Sequence, residues 1–273
     1  METLQTTIEK HTGKQSFALL KHLSDCFGEV PEWAGLSKTH LNEFREYLLE
    51  NVSQASARTY AAALKAVIKK YCETDICPNF AEILTIRNEQ PMKIYLTVEE
   101  LERLENVQTR TANERLVKLQ FIVGAYTGAR ISDIMNLTEE NIQGSCLRYV
   151  SQKTKVCSTI PCKPCILDYL KEIKTLKPVT VMAYNQLIRK LCKFAGIDER
   201  VKVFKAGKDL TGEKWQFVSS HTARVSFCTN LAGAGTPLLD ISRMAGHTNT
   251  ATTERYIVQS EVKLNDKAME YFK

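Results

Sequence analysis

Phosphate-ester chemistry needs an anion clamp, a group that moves protons and a nucleophile. The second half of this chain carries residues of each type. His221-Thr222-Ala223-Arg224 puts a histidine and an arginine three residues apart, on one face of a helix. The histidine can give or take a proton near neutral pH, and the arginine is a planar, permanently charged fork for an anion. Alone, that spacing describes an ordinary solvated helix face, so its meaning depends on what else the chain supplies. Arg130 follows the helix stop Gly128 and stands just before another helix start, where free N–H groups favour anions. Asp133 is three residues on, close enough to brace it or to form a plain surface pair with it. Lys153 falls at the tip of a strand–turn–strand pattern, His247 follows Gly246 at a helix stop, and Tyr256 comes next in order. Of five histidines, only His221 and His247 lie beyond residue 96.

The elements that must position these groups show in the hydrophobic periodicity. Ser16–Phe27 has a helical stripe of Phe17, Leu20, Leu23 and Phe27. Ser37 caps a helix over Lys38–Glu50, and a third runs from Ser53 or Gln54 to about Glu73, burying Tyr60, Leu64, Val67, Ile68 and Tyr71. A short fourth helix spans Pro78–Leu84. Arg58, Lys65, Lys69 and Lys70 lie on the polar side of the third helix, either as a solvated face or as phosphate contacts. Thr97-Val98-Glu99-Glu100 is a capping box that opens the second part. There, helices are expected over Asn113–Ala125 and Ile134–Asn141, then a hairpin of Cys146–Gln152 and Val156–Pro161 carrying Lys153 and Lys155. Helices follow near Pro164–Lys174 and Thr180–Ala195, then a basic, turn-rich stretch over 200–217. Further helices start at His221, at Leu238 and at Thr250, the last carrying Tyr256. The fold class is mainly α with a small antiparallel β-sheet. The expected domains are 1–88, all helical; a linker, 89–96; and a larger domain, 97–273.

Composition is that of a globular protein, 44% hydrophobic and 25% charged. Residues 1–96 hold 11 Lys+Arg against 12 Asp+Glu, and residues 97–273 hold 26 against 19, so the net charge of +6 resides in the second part. A polyanion partner fits that asymmetry. The opening residues are polar, and no apolar run is long enough to cross a bilayer, so a reducing cytosol is the expected setting for the nine cysteines. Cys162-Lys163-Pro164-Cys165 is a CxxC without a second ligand pair. Small residues packing at a strand-to-helix joint is the favoured account of it, with no metal expected.

Four blocks in order resemble the tyrosine recombinases, the family of phage and transposon integrases and DNA invertases. They are Thr127-Gly128-Ala129-Arg130 with Asp133, Gln152-Lys153-Thr154, His221-Thr222-Ala223-Arg224, and Gly246-His247 followed by Tyr256. Each is weak alone; together they are specific. The resemblance implies a two-domain, C-shaped clamp of a helical, SAM-like core-binding domain and a catalytic domain. It also implies site-specific cleavage and rejoining of double-stranded DNA, for integration, excision or inversion, without ATP, cofactor or metal. Tyr256 would be the nucleophile, forming a 3′-phosphotyrosine. Arg130 and Arg224 would clamp the phosphate, Lys153 would protonate the leaving 5′-oxygen, and His221 would assist proton transfer. His247 would hydrogen-bond the phosphate and Asp133 would orient the site. Arg58, Lys65, Lys69, Lys70 and Lys155 would touch DNA. The partners implied are specific recombination sites and a homotetramer on synapsed DNA. Exchange of the amphipathic C-terminal tail, with Leu264, Ala268 and Tyr271, would link protomers. The setting would be cytoplasmic and nucleoid-associated. The rival accounts are a type IB-like topoisomerase, a DNA-binding protein that has lost catalysis, and a metal-dependent nuclease.

Overall fold

Helix starts in this chain are set by hydroxyl side chains. Ser37, Ser53, Thr97, Thr111 and Thr180 each accept a hydrogen bond from the backbone N–H three residues on, satisfying a donor the helix itself cannot. At Thr97 the Glu100 carboxylate answers the cap N–H and completes a capping box. The computed structural model describes residues 2–13, 16–72, 77–87, 93–205 and 208–258. It divides into two compact units, Met1–Pro91 with Phe204–Leu210, and Met92–Val203 with Thr211–Lys273.

The first unit holds helices α1 (Leu4–His11), α2 (Ser16–Phe27), α3 (Lys38–Asn51), α4 (Gln54–Tyr71) and α5 (Phe80–Ile83). Its core includes Leu4, Ile8, Leu23, Leu41, Phe44, Leu48 and Leu64, each worth roughly 1.5–3 kcal/mol when fully buried. Ala57 and Ala61 of α4 are fully buried, which lets neighbouring backbones approach. Two readings need correction. Helix α1 was not expected, because Leu4 and Ile8 are the apolar pair of an otherwise polar stretch. Phe17 is 79% exposed, and Leu19 with Leu23 forms the buried line of α2 instead. Two residues apart on a helix point to nearly opposite faces, so both cannot be inside.

The second unit contains α6 (Val98–Asn106), α7 (Ala112–Thr127), α8 (Ile131–Ile134), β1 (Ile142–Gln143), β2 (Cys146–Val150) and β3 (Cys157–Pro161). It continues with α9 (Cys165–Thr175), α10 (Val181–Phe194), β4 (Arg200–Lys205) and β5 (Lys208–Glu213), of which Phe204–Leu210 groups with the first unit, and α11 (Lys214–Phe217). It ends with α12 (Ser220–Gly233), α13 (Leu238–Met244) and α14 (Thr250–Glu254). Helix α7 is buried on all sides, as its near-continuous apolar sequence demands. Leu116, Leu119 and Val123 pack into one cluster with Leu147, Ile160, Ile166 and Phe227. Val117, Phe121 and Ile122 pack into another with Leu101, Ile188 and Leu191. Glu100 and Lys214 pair at 2.7 Å inside this unit, both nearly excluded from solvent, and join α6 to α11.

Strands β1, β2 and β3 form an antiparallel sheet, and β4 with β5 forms a second, two-stranded one. Leu147 faces Ile160 and Tyr149 faces Ser158 on the buried side. The hairpin strands are shorter than their sequence runs, because Ser151–Val156 closes the turn. The N–H of Ser151 donates to Val156 and that of Lys155 to Ser151. Lys155 takes the left-handed conformation at φ 56° to do so. The helix expected over Ile134–Asn141 is in fact α8 followed by a 3₁₀ turn over Glu139–Asn141, since Thr138 and Asn141 cap each other and restart the chain there. Helix α14 ends at Glu254, so Tyr256 stands in the turn beyond it. Cys162 and Cys165 are half-buried free thiols where β3 gives way to α9. Burial raises both above the usual thiol range. Among the described residues, no helix is long and apolar enough to cross a membrane, and no three His, Cys, Asp or Glu side chains group as metal ligands.

Gly128 ends α7 at φ 68°, and a Cβ there would stand 2.5 Å from a ring carbon of Phe227. Gly128→Ala therefore combines left-handed strain with a clash in a packed core. It should cost about 2–4 kcal/mol, read as a lower urea midpoint. An unchanged midpoint would refute the packing.

Candidate active site

Arg224 is the deepest charge in the second unit. It lies on the buried face of α12, 1% exposed, and is among the largest fully buried side chains. A guanidinium cannot shed its charge, so it must find acceptors. One terminal nitrogen donates to the carbonyl of Gly128 at 2.6 Å and the other to that of Ala245 at 2.5 Å. These carbonyls become available because α7 and α13 both end there. Nε has no protein partner. Burial and then the nearby Arg130 charge lower its affinity for the proton below the ordinary arginine value. Among the described residues no carboxylate pairs with it, so the unmet donors have an anion-sized task.

Arg130 sits immediately before α8 and donates through Nη1 to Ser151 Oγ at 2.9 Å. Asp133 is buried; its backbone N–H donates to the Arg130 carbonyl at 2.8 Å, and its carboxylate turns to the hairpin. Its Oδ2 accepts from Ser151 Oγ at 3.1 Å and its Oδ1 from the backbone N–H of Gln152 at 2.9 Å. One carboxylate thus holds the base of the hairpin turn and, through a serine, the first arginine. The turn presents Lys153, which is exposed at the cavity rim. Thr154 Oγ1 donates to the carbonyl of Gly246 at 3.0 Å and pins the same turn to the α13–α14 junction. Gly246 takes φ 62°, and a Cβ there would come within 2.6 Å of Ser158 Oγ.

The histidines flank Tyr256. Its ring centroid is 5.0 Å from that of His221 and 4.9 Å from that of His247, and the Arg224 guanidinium carbon lies 5.4 Å away. His247 is buried, with Nδ1 2.8 Å from Thr253 Oγ1 and Nε2 without a protein partner. Burial, then the Arg224 and Arg130 charges, hold His247 down to about 3. Crowding by protein atoms, then the charges of Lys93, Arg224, Arg130 and Lys153, hold His221 down to about 4. The His221 ring is solvent-exposed, so desolvation acts on it less fully than on His247, and the surrounding cations are the firmer cause. At neutral pH both rings are uncharged.

These side chains line one cavity of about 430 Å³, which includes Arg130, Lys153, His221, Arg224, His247 and Tyr256. Asp133 stands behind it. Of the residues read as DNA contacts, Lys155 is exposed beside the hairpin turn. Arg58, Lys69 and Lys70 are exposed on α4 of the first unit, while Lys65 is half-buried and donates to Thr85 Oγ1 at 2.9 Å. The tail over 261–273 lies outside the described residues. Sequence reasoning missed Ser151, Thr253 and Lys93. Lys93 places its ammonium 4.7 Å from the Tyr256 ring centroid and donates to the carbonyl of Arg255. Nothing in the pattern around these three marks them, since each acts through a contact distant in sequence or through one hydroxyl.

A sequence model of the phage integrase family matches residues 94–262. A TnP I resolvase of Bacillus thuringiensis is 29% identical over 157 residues, 52% of this chain, and the match spans only 50% of the resolvase. The tyrosine recombinase XerC of Natranaerobius thermophilus is 24% identical over 260 residues, 89% of this chain and 85% of XerC. Among solved structures, the Tn1549 transposon integrase in complex with a circular intermediate DNA is 16% identical with a TM-score of 0.67, covering 99% of this chain and 100% of that one. A lambda integrase dimer bound to a COC′ core site is 12% identical with a TM-score of 0.67, covering 95% and 96%. At such identities the structures speak to a common fold. The family match takes in more than half the chain and every residue of the cavity, so this protein belongs to the phage integrase family and is a tyrosine recombinase, an enzyme of DNA strand cleavage and religation.

Proposed function

We propose that this protein recombines duplex DNA at specific sites through a covalent 3′-phosphotyrosine formed by Tyr256. The observation that carries the reading is the setting of that ring, between two histidines and over a buried arginine with donors to spare. The phenol oxygen attacks the scissile phosphorus, the bond to the 5′-oxygen breaks, and the 3′-phosphate stays on the tyrosine. The reverse attack by a 5′-hydroxyl rejoins a strand and frees the enzyme. One phosphodiester replaces another, so no external energy source enters.

Each side chain has a task in that exchange. Arg130 and Arg224 hold the non-bridging oxygens, a bidentate geometry that lysine does not reproduce. We assign His247 the tautomer in which the Thr253 hydroxyl, 2.8 Å away, donates to Nδ1, so that Nε2 carries the hydrogen and offers it to the phosphate. Neutral His221 is able to accept the phenol proton. Lys153 gives a proton to the leaving 5′-oxygen, and its place on a tethered turn lets it reach the strand. Donors of this kind are each worth about 10²–10³ in rate. Asp133 moves no proton; with Ser151 it sets the angle of Arg130 and the base of the turn.

The first unit then serves as the core-binding domain, with the exposed Arg58, Lys69 and Lys70 meeting phosphates. Lys65 joins them on release from Thr85, and Lys155 makes the matching contact from the hairpin. Exchange between two sites requires four strand cuts, which we assign to a homotetramer on synapsed DNA at the nucleoid, linked through the C-terminal tails. Integration, excision and inversion follow from how the sites are arranged.

Three measurements test this reading. On a nicked suicide substrate the wild-type chain should accumulate a protein–DNA adduct and Tyr256→Phe should form none; an adduct with Tyr256→Phe would remove Tyr256 as nucleophile. Ser151→Ala should slow adduct formation about 10–100-fold with little change in DNA affinity, and Ser151→Thr should recover much of it; a wild-type rate for Ser151→Ala would leave Arg130 positioned by other means. The third measurement concerns acid stability. Both histidines titrate below their unfolded value of about 6.5. The unfolded chain therefore binds protons there that the folded chain refuses, so stability is complete above that pH and falls as pH drops from 6.5 toward 4. Calorimetry should show the melting temperature declining over that window, less steeply in His247→Gln; equal slopes would contradict a buried neutral His247.

A further inference from the structure

Lys93 lies in the stretch that sequence reasoning treated as a plain linker, yet it touches the nucleophile's turn. Its ammonium donates to the carbonyl of Arg255, the residue before Tyr256, and sits 4.7 Å from the centroid of the Tyr256 ring. Its place is fixed by α12. The N–H of Leu96 donates to Ser226 Oγ at 2.9 Å, and Asn230 Nδ2 donates to the Leu96 carbonyl at 3.0 Å. Leu96 itself is fully buried. One turn along, Thr229 Oγ1 donates to the carbonyl of Tyr256 at 3.2 Å and accepts from the N–H of Val258 at 3.1 Å. The helix that carries His221 and Arg224 therefore grips both the segment bearing Lys93 and the turn bearing Tyr256.

We propose that Lys93 is a positioning residue for Tyr256: it locks the turn after α14 through the Arg255 carbonyl and holds a positive charge over the phenol as its oxygen becomes a phenoxide-like nucleophile. This deepens the recombinase reading and rests on it. With both histidines uncharged, Lys93 and Arg224 are the cations that lie against the Tyr256 ring. Lys93 is half-buried, and burial followed by the Arg255 charge pulls its ammonium below the ordinary lysine range. A partly desolvated cation interacts more strongly with an aromatic face than a hydrated one. Arg224 is committed to two carbonyls and to the phosphate. Lys93 is not among the residues that line the cavity; its contacts go to the Tyr256 ring and the Arg255 carbonyl, so its charge is placed for the nucleophile.

The test uses the full chain and the nicked suicide substrate, with Tyr256→Phe as reference. Lys93→Met should form the adduct slower by on the order of tenfold or more at pH 7, while gel-shift affinity stays within about twofold of wild type. Lys93→Arg, which keeps charge and donor, should recover most of the rate. Lys93→Gln keeps a donor without the charge; it should stay slow at pH 7, with its deficit narrowing as pH rises toward 9 and hydroxide takes over removal of the phenol proton. A wild-type rate for Lys93→Met overturns the proposal. So does a Lys93→Arg as slow as Lys93→Met, or a Lys93→Gln deficit that is the same at every pH, because a merely structural role predicts both. If Lys93→Met fails to fold by circular dichroism, the Arg and Gln variants decide the matter by the same criteria. An adduct with Tyr256→Phe, or none with wild type, would instead strike down the recombinase reading itself.

Discussion

A guanidinium buried without a carboxylate is the constraint from which the rest of the catalytic unit follows. Isolated charge in a protein interior is costly, by several kcal/mol even after relaxation. Arg224 meets that cost with two backbone carbonyls, those of Gly128 and Ala245. Both are free only because α7 and α13 stop there, each followed or closed by a glycine at positive φ. The helix ends supply partial negative charge to the arginine as well as acceptors. A carboxylate partner would satisfy Arg224 more fully, but it would also neutralise the site and repel a phosphate. Carbonyls hold the side chain in place and leave its charge unspent.

The same arithmetic explains the cavity's imbalance. Arg130, Arg224 and Lys153 line it, Lys93 lies against the Tyr256 ring, and Asp133 is the buried carboxylate nearby. Asp133 accepts from Ser151 and from the Gln152 N–H, which turns it away from the cavity and toward the hairpin. Negative charge is thus used as a fastening for two cationic elements at once, one reached through a hydroxyl and one through the backbone. Burial and this positive potential hold both histidines down, and the potential favours an anion. A phosphate diester would relieve the repulsion among the cations.

What could be read from the sequence divides along the same physical line. Arg130, Lys153, His221, Arg224, His247 and Tyr256 come together in one cavity, and each stands next to a local signal, a glycine stop, a cap or a hairpin turn. Local chemistry is legible because it acts over a few residues. Ser151, Thr253 and Lys93 gave no such signal. Ser151 looks like any strand-end serine until Arg130, 21 positions away in sequence, is placed against it. Lys93 is 162 positions from Arg255, and only the fold makes them neighbours. The misread elements have similar causes. Phe17 satisfies a helical stripe as well as Leu19 does on paper, and only packing against α1 and α3 chooses between them. Tyr256 was placed within a helix because Thr250–Glu254 continues smoothly into it by pattern.

The placement of Tyr256 in a turn rather than a helix has its own logic. On the proposed reading Tyr256 becomes bonded to a phosphate and is later released, which needs freedom that helical hydrogen bonding denies. Beyond Glu254 the chain keeps the Tyr256 N–H bonded to the Thr253 carbonyl, while the Tyr256 carbonyl is held by the Thr229 hydroxyl. The first is a single backbone turn contact and the second a single side-chain contact, in contrast to the paired backbone carbonyls that fix Arg224. The rigid part of the site is therefore the part that stabilises charge, which gains from preorganisation. The adjustable part is the one that changes its bonding during the reaction, and the two meet along α12, whose buried face carries Arg224 and whose later turns carry Thr229 and Asn230.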